Sequence, residues 1–196
     1  FPRTCTVVEE GGTFLSNYVC MKPTKMVQMY PTAYLKGEGA VARFSGVVVA
    51  GTGSYVDTGS RAVLQAPNTS AELVTRAITN GGTIISRGAV VAECPKTKGH
   101  IECRGLILKD GVMHAIPEIE GHVVDVELSH EAAVGKIARD EIEYLMARGL
   151  SEEEATATII RGFLDIKIEG LPPALQKQID AATEEIAVIA DMVQKQ

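Results

Sequence analysis

The chain has 196 residues, 45% of them hydrophobic and 22% charged, with a formal net charge of −6. That length holds one moderate domain plus an appendage. The acidic balance, without a basic stripe, argues against nucleic-acid binding, and no apolar run approaches the ~20 residues that cross a bilayer. No basic-then-apolar leader opens the chain. The four cysteines, Cys5, Cys20, Cys94 and Cys103, therefore read as reduced thiols of a cytoplasmic protein rather than two disulfides. The start at Phe1 rather than Met suggests that an amino-terminal portion precedes it.

Residues 1 to about 130 read as many short strands. Apolar, β-branched pieces recur at Tyr18–Cys20, Met26–Tyr30, Ala40–Phe44, Gly46–Ala50, Arg61–Leu64, Gly82–Ser86, Ala89–Ala92 and Ile101–Leu108. Turn signals separate them: Gly11-Gly12, Gly37-Glu38-Gly39, Gly51-Thr52-Gly53, Asn80-Gly81-Gly82 and Asp110-Gly111. Strands at roughly 8–12-residue intervals suggest a sandwich, barrel or solenoid. Short, Val-rich strands without clean in/out alternation favour a solenoid, although no strict short repeat is visible.

After Gly135 the period changes. Ile137, Ile142, Leu145 and Met146 share one face of a helix over 137–148, and Gly149 is placed as its C′ residue. Ser151-Glu152-Glu153-Glu154 is a capping box that starts a second helix through about Phe163. Gly170-Leu171-Pro172-Pro173 breaks the chain and opens a third helix, with Leu175, Ile179, Ala182, Ile186, Ile189 and Met192 at spacings of three and four. The domains are then a β body over 1–132 and a helical domain over 133–196. Leu150, Ile160, Phe163 and Leu164 either pack the helices together or await a partner.

Several chemistries are excluded by missing motifs. The chain has no Gly-x-x-x-x-Gly-Lys-Ser/Thr loop for ATP, no Gly-x-Ser-x-Gly elbow and no His-Glu-x-x-His helix. No Cys-x-x-Cys pair supports a structural zinc or a compact ferredoxin cluster. A metal here would be held by scattered ligands. Cys103 reads either as a buried small hydrophobe or as a ligand. Cys94, nine residues earlier, would lie on a neighbouring coil of a solenoid. His130 and Glu131 are adjacent: on an extended backbone they point to opposite faces, and at a helix entrance they would be a capping pair. His114 and His122 are expected on turns, and His100 behind Cys103 as a support. A β-helix carbohydrate enzyme is disfavoured by 5% aromatic content, no Trp and no evident carboxylate cluster.

Four stretches appear in order: Gly99-His100-Ile101-Glu102-Cys103-Arg104, Ala115-Ile116-Pro117-Glu118-Ile119-Glu120, Ser129-His130-Glu131-Ala132-Ala133-Val134-Gly135, and Tyr144 to Ala155. Together with Ile159-Ile160-Arg161-Gly162-Phe163-Leu164 they resemble the carboxy-terminal half of the SufB/SufD family of iron–sulfur cluster assembly scaffolds, most clearly over residues 80–170. The resemblance implies a right-handed parallel β-helix followed by a helical domain that docks on an ABC-type ATPase, SufC. It also implies pairing of two β-helices through their carboxy-terminal strands, as a homodimer or a SufB/SufD-type heterodimer.

By the same resemblance, Cys103 falls where SufB carries a required β-helix cysteine, and His130 and Glu131 fall on its interface His-Glu pair. His130-Glu131-Ala132 leans towards SufB, whereas Val124-Asp125-Val126 and Val134-Gly135 look more like SufD. A second SufB cysteine has no clear counterpart. The expected cofactor-binding residues are thus Cys103, His130, Glu131 and Cys94, the first three holding iron of a transient [4Fe-4S] or [2Fe-2S] cluster. The expected function is a non-enzymatic scaffold. The alternative is a SufD-like structural subunit that binds no cluster.

Overall fold

The computed structural model describes residues 3–164 and 172–193, with side chains given as far as Glu184. The strands, in chain order, are β1 (Cys5–Val8), β2 (Thr13–Cys20), β3 (Met26–Met29), β4 (Thr32–Leu35), β5 (Val41–Gly51), β6 (Tyr55–Leu64), β7 (Ser70–Asn80), β8 (Thr83–Ala92), β9 (Thr97–Leu108), β10 (Val112–Gly121) and β11 (Val126–Gly135). Three helices follow: α1 (Arg139–Ala147), α2 (Glu152–Leu164) and α3 (Pro173–Val193).

Apart from β3 and β4, which both lie beside β6, successive strands alternate between two parallel sheets. One runs β1-β4-β6-β8-β10, with β3 beside the first part of β6, and the other runs β11-β9-β7-β5-β2. The body is therefore a β-solenoid of about five turns. Thr13 pairs with Val41, Val41 with Ser70, Ser70 with Lys98, and Thr97 with Val126, so each turn advances 28 or 29 residues.

A column of left-handed residues marks one corner at that same period. Gly11, Gly39, Asn68, Lys96 and Asp125 all have φ between +59° and +70°. Backbone bonds from each member reach the same corner of the next turn: Gly11 N to Glu38 O, Gly39 N to Pro67 O, Asn68 N to Lys96 O and Lys96 N to Asp125 O. The opposite corner uses Gly53, Gly81 and Lys109, also at positive φ. Glycine is the natural occupant of such positions, since a Cβ costs about 1–2 kcal/mol there.

Two strands are longer than the expected pieces and run through a glycine. Gly46 falls within β5 and Gly88 within β8, so four of the expected short strands merge into two. A Cβ on Gly88 would come 2.8 Å from Ile101 Cγ2 across the lumen, so glycine is needed there for packing rather than for a turn. Strands β1, β4, β7, β10 and β11 were not among the expected pieces. Pro117 sits within β10, which is an edge strand and tolerates the lost donor.

The lumen holds two apolar clusters, one around Leu35, Leu64, Leu73, Val90 and Ile101, the other around Val48, Val56, Ala77, Ile84, Cys103 and Met113. A third cluster lies outside the β11-β9-β7-β5-β2 sheet. There Ile160 and Leu164 of α2 pack on Val47, Ile78 and Leu108, with Leu106, Ile137 and Phe163 at the margin. The helical domain thus buries its α2 stripe on the β body, and Ile160 and Leu164 are not free for a partner.

The capping box forms as expected: Ser151 N donates to Glu154 Oε2 at 2.8 Å, and Glu154 N to Ser151 Oγ at 3.1 Å. Gly149 follows α1 at φ +102°. In α3, Pro173 begins the helix and Ile179 is buried, while the side chains of Ile186, Ile189 and Met192 lie outside the described residues. No helix among the described residues is long and apolar enough to cross a membrane.

Candidate functional site

Among the described residues, strand β11 is the last coil of its sheet and pairs only with β9, residue for residue: Ser129 with His100, His130 with Ile101, Glu131 with Glu102, Ala132 with Cys103, and Ala133 with Arg104. Alternation along β9 buries Gly99, Ile101, Cys103 and Gly105 in the lumen and turns Lys98, His100, Glu102 and Arg104 outwards. The register carries this parity to β11. Val126 and Leu128 pack on the lumen cluster, so His130 and Ala132 belong to the inner row, and Glu127, Ser129 and Glu131 to the outer one. His130 and Glu131 thus lie on an extended strand and take opposite faces; they do not cap a helix, since α1 begins only at Arg139.

On the inner face, Cys103 and His130 are neighbours across one strand spacing and two residues along it, roughly 8 Å apart at Cα. Cys103 is 4% exposed, whereas His130, on the open final coil, is exposed. The Cys103 thiol donates to Ser86 Oγ at 3.1 Å, across the lumen on β8. The final coil puts Ala132 next to Cys103 and Ala115 next to Ser86, two small side chains over a buried sulfur. Burial pushes the thiol up from its ordinary value, opposed by the Ser86 hydrogen bond and by the charge of Arg76. At rest Cys103 is therefore a protonated, shielded thiol rather than a ready thiolate.

On the outer face a charged network runs along the same two strands. Glu102 Oε1 lies 2.7 Å from Arg76 Nη1 and 2.8 Å from Arg104 Nε, and Arg104 Nη2 reaches Glu131 Oε2 at 3.5 Å. His100 Nδ1 shares a hydrogen bond of 2.8 Å with Ser129 Oγ, and Lys98 pairs with Glu127 at 2.9 Å. His100, Glu102 and Glu131 each offer a ligand atom, and these atoms lie within 4.8 Å of one another.

The expected residues therefore divide. Cys103 and His130 share the lumen side, and Glu131 faces the other way, so the three do not converge on one iron within a single chain. His100 does not support Cys103: it lies on the opposite face of β9. Cys94 is not on a neighbouring coil either. Nine residues is a third of a turn, and Cys94 sits in the corner before β9, where its carbonyl accepts from Thr97 Oγ1 at 3.0 Å. The six residue steps along β9 from Thr97 to Cys103 alone span roughly 20 Å. Cys5 is exposed and Cys20 half-buried, both at the far end of the solenoid. His114 is in β10 rather than on a turn, while His122 follows that strand and contacts Glu120 at 3.2 Å. Sequence reasoning missed Glu102 altogether; the alternation His100-x-Glu102-x-Arg104 on a strand was the signal that could have found it.

A family model described as "SUF system FeS cluster assembly, SufBD core domain" matches residues 1–163. An Archaeoglobus fulgidus protein named "Iron-sulfur cluster assembly SufBD family protein" is 54% identical over 93% of this chain and 50% of its own length. Similarly named proteins from Methanothermobacter thermautotrophicus strain Delta H and from Pyrococcus horikoshii are 47% and 37% identical, over 89% and 87% of this chain and 43% and 39% of theirs. The chain spans half or less of the length of these relatives.

Proposed function

Because the chain belongs to the SufBD family of the SUF iron–sulfur cluster assembly system, we propose that it is a scaffold that holds a nascent cluster at its last solenoid coil. The observation that carries this reading is the shared inner face of Cys103 and His130 at the open end of the sheet. A thiolate suits iron and sulfide, and an imidazole makes a more labile corner from which a cluster can leave. His130 is accessible at rest. Cys103 becomes a ligand once the final coil lifts and the thiol gives up its proton to iron binding. Cluster iron and sulfide are cargo here, held and released rather than turned over.

The movement would come from an ABC-type, SufC-like ATPase docked on the helical domain, the chain itself having no phosphate-binding loop. Two features support that route. Exposed Tyr144 and Met146 on α1 offer an apolar contact, and α2 touches β9 through Leu106 and Leu108, close to Cys103. The unpaired edge of β11 suits pairing with a second solenoid, as a homodimer or a SufB/SufD-type heterodimer in the cytoplasm. Tyr144→Glu should weaken co-purification with the ATPase while leaving the fold intact; undiminished binding would rule out docking through α1.

The second reading, a SufD-like structural subunit without a cluster, is favoured by the burial of Cys103. Anaerobic reconstitution with iron and sulfide separates the two. The scaffold reading expects visible iron–sulfur charge-transfer bands that weaken in His130→Ala and Cys103→Ser. A Cys103→Ser protein with an unchanged spectrum would remove that ligand, and no bands in the wild type would favour the structural subunit.

A further inference from the structure

The lumen around Cys103 carries a hydroxyl whose placement packing alone does not explain. Ser86 of β8 is 3% exposed and stands between Thr58 of β6 and Ala115 of β10. The row before it on the same sheet, Val56, Ile84 and Met113, is apolar. We propose that Ser86 is the positioning residue for Cys103. Its hydroxyl holds the thiol across the lumen at rest and, turned round, donates to the same sulfur once that sulfur is bound to cluster iron. This role rests on the cluster reading above.

The other hydrogen bonds of buried hydroxyls set Ser86 apart. Thr69 Oγ1 donates to Ala66 O at 2.9 Å, Thr79 Oγ1 to Gly82 O at 2.6 Å and Thr97 Oγ1 to Cys94 O at 3.0 Å. Each of those three closes a corner by satisfying a backbone carbonyl. Ser86 Oγ instead accepts from Cys103 Sγ at 3.1 Å. A thiol is a weak donor, and a buried hydroxyl that served only a thiol would recover little of its desolvation cost. An alanine there would pack as its neighbour Ala115 does.

A bound sulfur changes the balance. Iron binding forms the Fe–S bond and breaks S–H, with the proton released to water. The sulfur then carries negative charge and becomes an acceptor only. Ser has one proton to give and two lone pairs, so rotating its hydroxyl converts it from acceptor to donor without moving the backbone. The resulting bond is charge-assisted and the stronger of the two. Position also fits. His130 lies on the same sheet as Cys103, whereas Ser86 reaches the sulfur from the opposite sheet. Iron shared with His130 and the Ser86 hydroxyl therefore approach different sides of the sulfur.

Two measurements on the full chain test the two states. In the iron-free protein, the Raman S–H stretching band of Cys103 is identified by its loss in Cys103→Ser. It should lie at the low frequency of a hydrogen-bonded thiol, rise in Ser86→Ala and return in Ser86→Thr, which keeps the hydroxyl. After anaerobic reconstitution with iron and sulfide, Ser86→Ala should lose iron to a chelator at least about tenfold faster than wild type, the scale of one hydrogen bond to a charged acceptor. Its reduction potential should be lower, because hydrogen bonds to the sulfurs help set the potential, and Ser86→Thr should stay near wild type in both. An unchanged S–H band in Ser86→Ala would overturn the hold at rest. Equal iron loss and equal potential in wild type and Ser86→Ala would overturn the bond to the bound sulfur. Should Ser86→Thr fail to fold, Ser86→Ala still decides both. A wild type that takes up no cluster removes the cluster reading and the loaded role with it, whereas a normal cluster indifferent to Ser86→Ala removes this proposal alone.

Discussion

Ile160→Ala tests the joint between the helical domain and the solenoid. Ile160 is fully buried between α2 and the outer face of the sheet, against Val47, Ile78 and Leu108. The substitution removes three carbons, about 2.4 kcal/mol of transfer free energy at ~0.8 kcal/mol each. A cavity that the flat sheet cannot close adds to this, for a total of about 3–4 kcal/mol. Hydrogen exchange read by mass spectrometry over residues 152–164 reports the loss directly, whether α2 opens alone or with the whole domain. Opening should become easier by the full amount, and the comparison Met146→Ala, at an exposed position of α1, should change it by less than about 0.5 kcal/mol. A loss below about 1 kcal/mol for Ile160→Ala would refute the seating of α2 on the sheet and the mechanical link from the helices to β9. The same packing warns against truncation: removing residues 150–196 would strip the cover from Val47, Ile78 and Leu108, so loss of ATPase binding in such a fragment would not report on docking.

Three other outcomes are expected. Because burial holds the Cys103 thiol neutral in the folded state, its contribution to stability is complete below the ordinary thiol range and is lost as pH rises above about 8.5; urea midpoints from pH 7 to 10 should fall more steeply for wild type than for Cys103→Ser, and parallel curves would contradict the burial. Lys109, at φ +52°, should gain about 0.5–1 kcal/mol on replacement by Gly, the relieved αL cost exceeding the added chain entropy, and a lowered Tm would mean its side chain does something the backbone does not explain. Ser151→Ala, losing the hydroxyl that caps α2, should cost about 1 kcal/mol, visible as faster exchange at the first turn of that helix.

What could be read from the sequence was what is written locally. The capping box at Ser151–Glu154 and the C′ glycine at 149 involve residues within one turn, so their chemistry is complete in a four-residue window. The solenoid's period was hidden because backbone conformation carries it. One corner column is filled by Gly, Gly, Asn, Lys and Asp in turn, and only the positive φ is common to them; a search for left-handed-tolerant residues at 28–29-residue spacing would have caught most of it. Gly88 lies mid-strand because a missing side chain serves a tight lumen as well as a turn. The opposite facing of His130 and Glu131 followed from strand alternation once the strand was recognised. Which residues each meets depended on the pairing of β11 with β9, which no local pattern contains, and Cys94 was placed a coil away from where it lies because the 28–29-residue turn was not visible.

The parity of β11 makes its register a matter of fidelity. The sheet there is a partition one backbone thick, with imidazole beside thiol on the lumen side and carboxylate beside carboxylate on the other. Sliding β11 by one residue against β9 would exchange the two populations at once, turning Glu127, Ser129 and Glu131 towards apolar Ile101 and Leu128 and Val134 towards the charged outer row. An edge strand with a single hydrogen-bonded neighbour has little besides such side-chain sorting to hold its place. The alternating chemistry of Glu127–Ala133 thus identifies the strand's own correct alignment, and a partner that paired with its free edge would inherit that alignment as a template.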